Sequence, residues 1–204
     1  MKNGILSVLA LFSIFLLWGC YPQGPDYAEE MDVVLTYHND TYDFVSKSTY
    51  AMPDSIVKIT GNMSEGKEPV FIPDVTAQKI LATIENNMTD LGWERVSVDA
   101  EPDMLLVPAS WETTTIIMYY DYWSWWWYDY YPYWGYPPYY YYGSYSTGTL
   151  LMSLIDPEKL SANGNPVIQW SGAITGILTG YYDQIRMDTA LDKAFNQSPY
   201  LKTN

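Results

Sequence analysis

Few residues of this 204-residue chain have the type and spacing to do chemistry, and the clearest is Cys20, the only cysteine, directly behind Leu17-Trp18-Gly19. Leu three residues before a cut, Gly one before it and Cys just after it form a lipobox, in which the thiol is the acyl acceptor. Lys2 supplies a short positive segment, and Ile5 to Trp18 supply fourteen apolar or small residues ahead of Gly19, the small residue that a signal peptidase requires. A bilayer core of ~30 Å needs about 20 helical residues, so this run is too short for a permanent span. The expectation is a signal peptide over 1–19, cleavage after Gly19, and a Cys20 carrying palmitate-type chains. Acylation consumes the thiol and leaves neither a disulfide nor a cysteine nucleophile in the exported domain.

The remaining catalytic candidates are sparse. His38 is the only histidine and falls in an expected turn, so Ser-His-Asp relays and multi-histidine zinc sites are excluded. Asp40, Asp43 and Asp54 are close in sequence but lack the alternating oxygen ligands and glycine of a calcium loop, so they are expected to form turns. Carboxylate pairs such as Glu101 with Asp103, or Glu112 with Asp121, have the chemistry of a glycosidase, yet random pairs abound in so acidic a chain. No enzyme, cofactor or metal is expected, and a carboxylate-based hydrolase stands as the distant alternative.

The outstanding local feature is Tyr119 to Tyr145, where 18 of 27 residues are Tyr or Trp, interleaved with Asp, Pro, Gly and Ser. Each aromatic side chain buries ~150–250 Å², more than one domain core can absorb for so many rings, so much of the tract is expected to face outward. In an extended strand Trp123, Trp125 and Trp127 share one face, and Trp126 the other. Together with Trp134 these rings are the candidate ligand-stacking residues. Such a surface suits the apolar faces of sugars, with Tyr hydroxyls and Trp N–H groups bonding at the edge. The competing reading is a low-complexity hairpin or loop broken at Pro132, Gly135, Pro137, Pro138 and Gly143.

These candidates must be held by regular elements. Tyr21 to Glu30, with Pro22, Gly24 and Pro25, has the composition of a tether, and the folded part is expected from Asp32. Val33 to Tyr37 and Thr49 to Ala51 read as two opening strands joined through Asn39, Asp40 and Asp43. Asp74 is the expected cap of a helix whose apolar stripe is Ala77, Ile80, Leu81, Ile84, Met88 and Leu91, stopped by Gly92. Strands follow at Glu94 to Val98, Met104 to Val107, Thr113 to Tyr119, Thr149 to Ile155 and Val167 to Leu178, with Pro102-Asp103 at a turn. A final helix from about Asp183 to Asn196 stops before Pro199. This order predicts an α+β fold, a mainly antiparallel sheet with one internal and one C-terminal helix packed on one face, and a long aromatic hairpin or loop inserted at 119–145. The domain plan is a signal over 1–19, a lipidated tether over 20–31, and a single domain over 32–204.

Charge limits the partners. Removing Lys2 with the signal leaves 9 basic against 24 acidic residues, a formal −15. Between Arg95 and Lys159 the chain has no Lys or Arg and eight acidic residues, so it has no stripe to neutralise phosphates, and nucleic acid is not an expected partner. Anionic head groups are disfavoured for the same reason, which leaves the membrane reached through the N-terminal lipid. Tyr21 rather than Asp after Cys20 favours the outer membrane, facing the periplasm.

These landmarks, in order, resemble the bacterial lipoproteins that carry domain of unknown function 4136. The resemblance rests on the lipobox at Cys20, Asp32-Val33-Val34-Leu35-Thr36, Asp43-Phe44, Thr49-Tyr50-Ala51, Pro102-Asp103-Met104, Gly148-Thr149-Leu150 with Asp156, Trp170-Ser171-Gly172, and Gln197-Ser198-Pro199-Tyr200. It implies an α+β envelope lipoprotein and no established activity. The functional expectation is a non-enzymatic, membrane-anchored protein that binds or scaffolds envelope proteins or glycans. Its rival is a carbohydrate or peptidoglycan binder working through Trp123 to Trp134.

Overall fold

The computed structural model describes residues 32–59, 69–112, 148–162, 166–180 and 182–203, all within the compact unit Asp32–Asn204. The elements are β1 (Val34–His38), β2 (Thr49–Ala51), β3 (Val57–Ile59), α1 (Asp74–Asp90), β4 (Glu94–Arg95), β5 (Met104–Trp111), β6 (Thr149–Leu160), β7 (Pro166–Ile174) and α2 (Gln184–Asn196). Short 3₁₀ turns occupy Val98–Ala100 and Pro199–Leu201. The strands form one seven-stranded sheet in the order β1-β7-β6-β5-β2-β4, with β3 also on β5. The fold is α+β, as the sequence predicts.

The sheet is mixed, so the mainly antiparallel arrangement expected from the sequence is borne out only in part. β5, β6 and β7 form an antiparallel meander extended by β1, whereas β2 and β3 run parallel to β5, and β4 runs parallel to β2. The parallel half follows from α1, which carries the chain back so that strands before and after it point the same way. The expected opening hairpin does not form. β1 pairs with β7 at one edge, and β2 pairs with β4 and β5 near the other. β2 and β3 lie along the same side of β5, at Tyr50↔Met104 and Val57↔Ala109, interrupted where Pro53 has no N–H to give. The strand expected over Glu94 to Val98 is only two residues long, because Val98 already belongs to a 3₁₀ turn. The expected strand over 113–119 lies outside the described residues.

Burial on both faces explains the continuous apolar runs of the central strands. Met104, Leu106, Leu150, Met152, Leu154, Trp170 and Ile174 meet the two helices in the larger core cluster. Leu105, Val107, Ala109, Trp111, Leu151, Ile155 and Ala173 form a second cluster with Val57 and Ile59. α1 buries Ala77, Ile80, Leu81, Ile84 and Met88, and α2 buries Met187, Ala190, Leu191, Ala194 and Phe195. Both stripes match those read from periodicity, so one internal and one C-terminal helix share a face of the sheet.

The helix ends follow local chemistry. Pro73, not Asp74, occupies the N-cap position of α1, and Asp74 is the first helical residue, where its charge suits the positive end of the helix. Gly92 has φ +92°, and the Gly92 and Trp93 amides donate to Thr89 and Met88 carbonyls, which closes a Schellman stop. The Asp183 carboxylate caps α2 by accepting from the Arg186 amide at 3.1 Å. Among the described residues no helix is long and apolar enough to cross a membrane.

Gly172 serves close packing. A Cβ there would lie 2.9 Å from Cη2 of the Trp170 indole and 3.0 Å from Cε of Met152. Gly172→Leu is therefore expected to destabilise the domain by about 1–3 kcal/mol through overpacking, measured by urea denaturation. An unchanged midpoint contradicts this assignment.

Candidate functional site

The described polar residues concentrate at the end of the sheet where β1 leads into the segment before β2. His38 ends β1, and Asn39 turns the chain: its carboxamide oxygen accepts from the Thr41 amide at 3.1 Å and its carbonyl accepts from the Tyr42 amide at 3.0 Å. Its carboxamide nitrogen donates to Gln169 Oε1 at 3.0 Å, which fixes the turn to β7. Tyr42 and Phe44 consequently fold back against the helix-side core.

Tyr42 then meets Asp156, 114 positions away in the chain. The phenol donates to Asp156 Oδ2 at 2.6 Å and also lies 3.1 Å from Met104 Sδ. Asp156 is 0% exposed, Lys47 Nζ lies 3.5 Å from Oδ2, and the Glu158 amide donates to Oδ1 at 2.8 Å. The buried carboxylate thus has a phenol, an ammonium and an amide around it, as a buried charge requires. Burial, followed by the adjacent Asp156 carboxylate, pushes the Tyr42 phenol well above the usual tyrosine range. Tyr42 therefore remains a proton donor to Asp156 throughout neutral pH.

A ring stack continues from this pair. Tyr42 packs edge-on against Phe44 at 4.7 Å, Phe44 tilts against Tyr200 at 6.1 Å, and Tyr200 stacks on His38 at 3.6 Å between centroids. The Tyr200 hydroxyl donates to Ser198 Oγ at 3.1 Å, and Trp170 Nε1 donates to the same oxygen at 2.9 Å. Ser198 in turn donates to the Ala194 carbonyl at 3.0 Å, and the Trp170 ring stacks on Phe195 at 5.5 Å. His38, expected in a turn, is instead the last strand residue, with its ring against an aromatic face. Ser198 has its donor and both acceptor positions filled, so it is a structural hub and not a nucleophile.

Asp103, Glu112 and Asp54 are engaged within the domain as well. Asp103 Oδ2 accepts from the Ser48 and Thr49 amides at 3.0 Å each and from Thr49 Oγ1 at 2.9 Å, while the Asp103 amide donates to Thr49 Oγ1 at 3.0 Å. Burial, which alone would raise its pKa, is outweighed by these hydrogen bonds, and the carboxyl sits below its ordinary value. Glu101 takes a left-handed conformation beside the Val98–Ala100 turn, and Glu112 pairs with Lys58 at 2.8 Å. Asp54, expected only to form a turn, also pairs with Arg95 at 2.7 Å. A groove of about 450 Å³ between α1 and α2 is lined by Thr83, Asn86, Asn87, Asp90, Asp188, Asp192 and Asn196. Two of its carboxylates accept bonds across the helices, Asp188 from Thr83 and Asp192 from Asn87. Among the described residues no group of three or more His, Cys, Asp or Glu is arranged to hold a metal ion.

Gly19, Cys20, Trp123, Trp125, Trp126, Trp127, Trp134 and Asp121 lie outside the described residues. The roots of the aromatic insertion are described: Trp111 pairs with Thr149, and the Gly148 amide donates to the Trp111 carbonyl at 2.8 Å. The insertion therefore joins adjacent strands β5 and β6 at one end of the sheet. Tyr42 and Lys47 were not legible as partners of Asp156; the available signal was one acidic residue ending the apolar run Leu150 to Ile155.

Fold and site define a two-helix α+β domain on a mixed sheet, with a chain of hydrogen bonds and ring contacts running from Trp170 to buried Asp156. The chain belongs to the family described as Domain of unknown function (DUF4136), whose model matches residues 34–200. It is similar to the crystal structure of a DUF4136 family protein from Bacteroides thetaiotaomicron, at 26% identity and a TM-score of 0.61, over 84% of this chain and 97% of that one. It is also similar to a PelC dodecamer chain from Paraburkholderia phytofirmans, at 13% identity and a TM-score of 0.42, over 85% of this chain and 99% of that one. No curated protein matches the sequence.

Two outcomes follow from this geometry. Tyr42→Phe removes the shortest bond to buried Asp156 and is expected to cost about 1–3 kcal/mol in urea denaturation; no loss contradicts the pairing. Asp103 has a depressed folded-state pKa, so its contribution is present above the unfolded carboxylate pKa and fades as pH falls through the folded value. Asp103→Asn is expected to flatten the fall in stability below about pH 4, and an unaltered acid limb contradicts this role.

Proposed function

We propose that this chain is a non-enzymatic lipoprotein of the cell envelope, anchored through acylated Cys20 in the outer membrane and facing the periplasm, whose α+β domain binds or scaffolds other envelope components. The observation that carries the non-enzymatic part is the engagement of the candidate groups. Asp103, Glu112, Asp156, His38 and Ser198 each contact partners within the domain.

The anchoring part rests on the lipobox and on where the domain starts. Asp32 is held by the Arg186 guanidinium, whose Nε donates to Asp32 Oδ2 at 2.6 Å, so the chain is tied to the first turn of α2 as it enters the sheet. Eleven residues, Tyr21 to Met31, lie between Cys20 and this clamp, and the twelve Cα–Cα steps reach at most about 43 Å when fully extended. A domain tied at that distance works close to its membrane.

A second reading gives the binding role to glycans, stacked on Trp123, Trp125, Trp126, Trp127 and Trp134. The observation favouring it is the fixed base of the insertion at Trp111 and Thr149, which delivers an aromatic-rich segment from rigid central strands. Soluble peptidoglycan fragments should then shift tryptophan emission in the intact chain, with loss of the shift when residues 119–145 are replaced by a Gly/Ser loop in a protein shown to fold.

The anchor is tested with Cys20→Ser. The wild-type chain is expected to incorporate radiolabelled palmitate and to sediment with outer membranes, and the variant to lose the label. A labelled variant, or an unlabelled wild-type chain, overturns the lipoprotein reading.

A further inference from the structure

A sheet exposes backbone hydrogen-bonding groups at its edges, and proteins normally shield them. Among the described residues, this sheet shields all but one. β4 at one end is two residues long and charged, Glu94–Arg95, with Arg95 bound to Glu85 and Asp54. The free side of β3 is covered by Val70 to Ile72: the Lys58 amide donates to the Val70 carbonyl and the Ile72 amide to the Ile56 carbonyl.

β1 at the opposite end has none of these devices. It is five residues long, pairs with β7 alone among the described residues, and carries no Lys, Arg, Asp, Glu or Pro from Val33 through Asn39. The Thr175 amide donates to the Val33 carbonyl and the Asn39 amide to the Gln169 carbonyl. In this register the odd-numbered residues of β1 turn their backbone groups toward β7, so Val34, Thr36 and His38 turn theirs outward. On the face opposite the helices the strand presents Val33 at 50%, Leu35 at 53% and Tyr37 at 64% exposure. This is an uncharged, apolar, open strand edge.

We propose that this edge is a homodimer interface, in which β1 pairs antiparallel with β1 of a second copy about a two-fold axis at Thr36. The register is self-complementary. Val34 meets His38 of the partner subunit and Thr36 meets Thr36 of the partner subunit as hydrogen-bonded pairs, using the outward backbone groups. Leu35 then lies directly opposite Tyr37 of the partner subunit, at the close spacing of a non-hydrogen-bonded pair, where an aliphatic and an aromatic side chain stabilise each other. The same contact repeats across the axis, as an isologous interface requires. No charge stands opposite a like charge along the strand, although each chain is strongly acidic overall. One strand pair covers less than a standard interface, so the dimer is an exchanging one and is best trapped covalently.

Thr36→Cys provides the trap. Hydrogen-bonded antiparallel pairs place their Cα atoms about 5.5 Å apart, within disulfide range. The full-length variant is expressed, oxidised mildly in its membrane, and separated on non-reducing gels beside the wild-type chain, which has Cys20 as its only cysteine. A chain-to-chain dimer band is expected with Thr36→Cys and not with wild type or with Lys202→Cys, an exposed residue outside β1. Adding Leu35→Lys and Tyr37→Lys, both at solvent-exposed positions, sets ammonium groups opposite one another and should abolish the band while leaving the circular dichroism spectrum unchanged. The proposal is overturned if Thr36→Cys stays monomeric, if Lys202→Cys cross-links equally well, if the two lysine changes leave the band intact, or if the trapped species joins a different protein.

Discussion

The structure depends on how the Trp170 indole is buried. This ring must satisfy one N–H, find apolar contact for both faces, and do so on the edge-proximal strand β7. Gly172 removes the side chain that would collide with it, Phe195 stacks on it, and Ser198 accepts its proton donor. The last two lie at and beyond the end of α2, so the indole joins the sheet to the C-terminal helix. The bond is worth about 1 kcal/mol net, but leaving the N–H unpaired in an apolar core costs more, and so the position of Ser198 is tightly specified. From Ser198 the order passes to Tyr200, to His38 at the end of β1, and through Phe44 and Tyr42 to buried Asp156.

The other polar clamps organise the parts that this network does not reach. Asp103 and Thr49 bond reciprocally where β2 and β5 begin, and so set the register of the first parallel pair. Arg186 holds Asp32 at the start of the domain, so a pull on the N-terminal segment is met first by a two-point ion pair on α2. Arg95 ties the short edge strand β4 to α1 through Glu85 and to the segment after β2 through Asp54. In each case the charged group is used to fasten two elements.

Where local chemistry decides the outcome, the sequence already shows it. The stripes of α1 and α2, the Gly92 stop, the Pro102-Asp103 turn and the closeness implied by Gly172 all depend on neighbours within a few residues. Pairing of strands does not. Val34 to His38 and Thr49 to Ala51 have the composition of a hairpin, yet Asn39 binds Gln169 and sends the chain under the sheet, so β1 joins β7 instead. Parallel pairing required knowing that α1 crosses the sheet, and β3 is too short for periodicity to mark. The meeting of Tyr42 with Asp156 spans 114 positions; a lone acid at the end of an apolar run announces a need for partners without naming them.

Trp170, Ser198, Tyr200, His38, Phe44, Tyr42 and Asp156 form a network that fastens the sheet to the C-terminal helix. Its most direct test is a double-mutant cycle between Trp170 and Ser198, using Trp170→Phe, Ser198→Ala and their combination in urea denaturation. The account predicts strong non-additivity, with a coupling of about 1 kcal/mol, because either change alone already breaks the shared bond. Additive losses would contradict it, since the two residues would then contribute to stability independently.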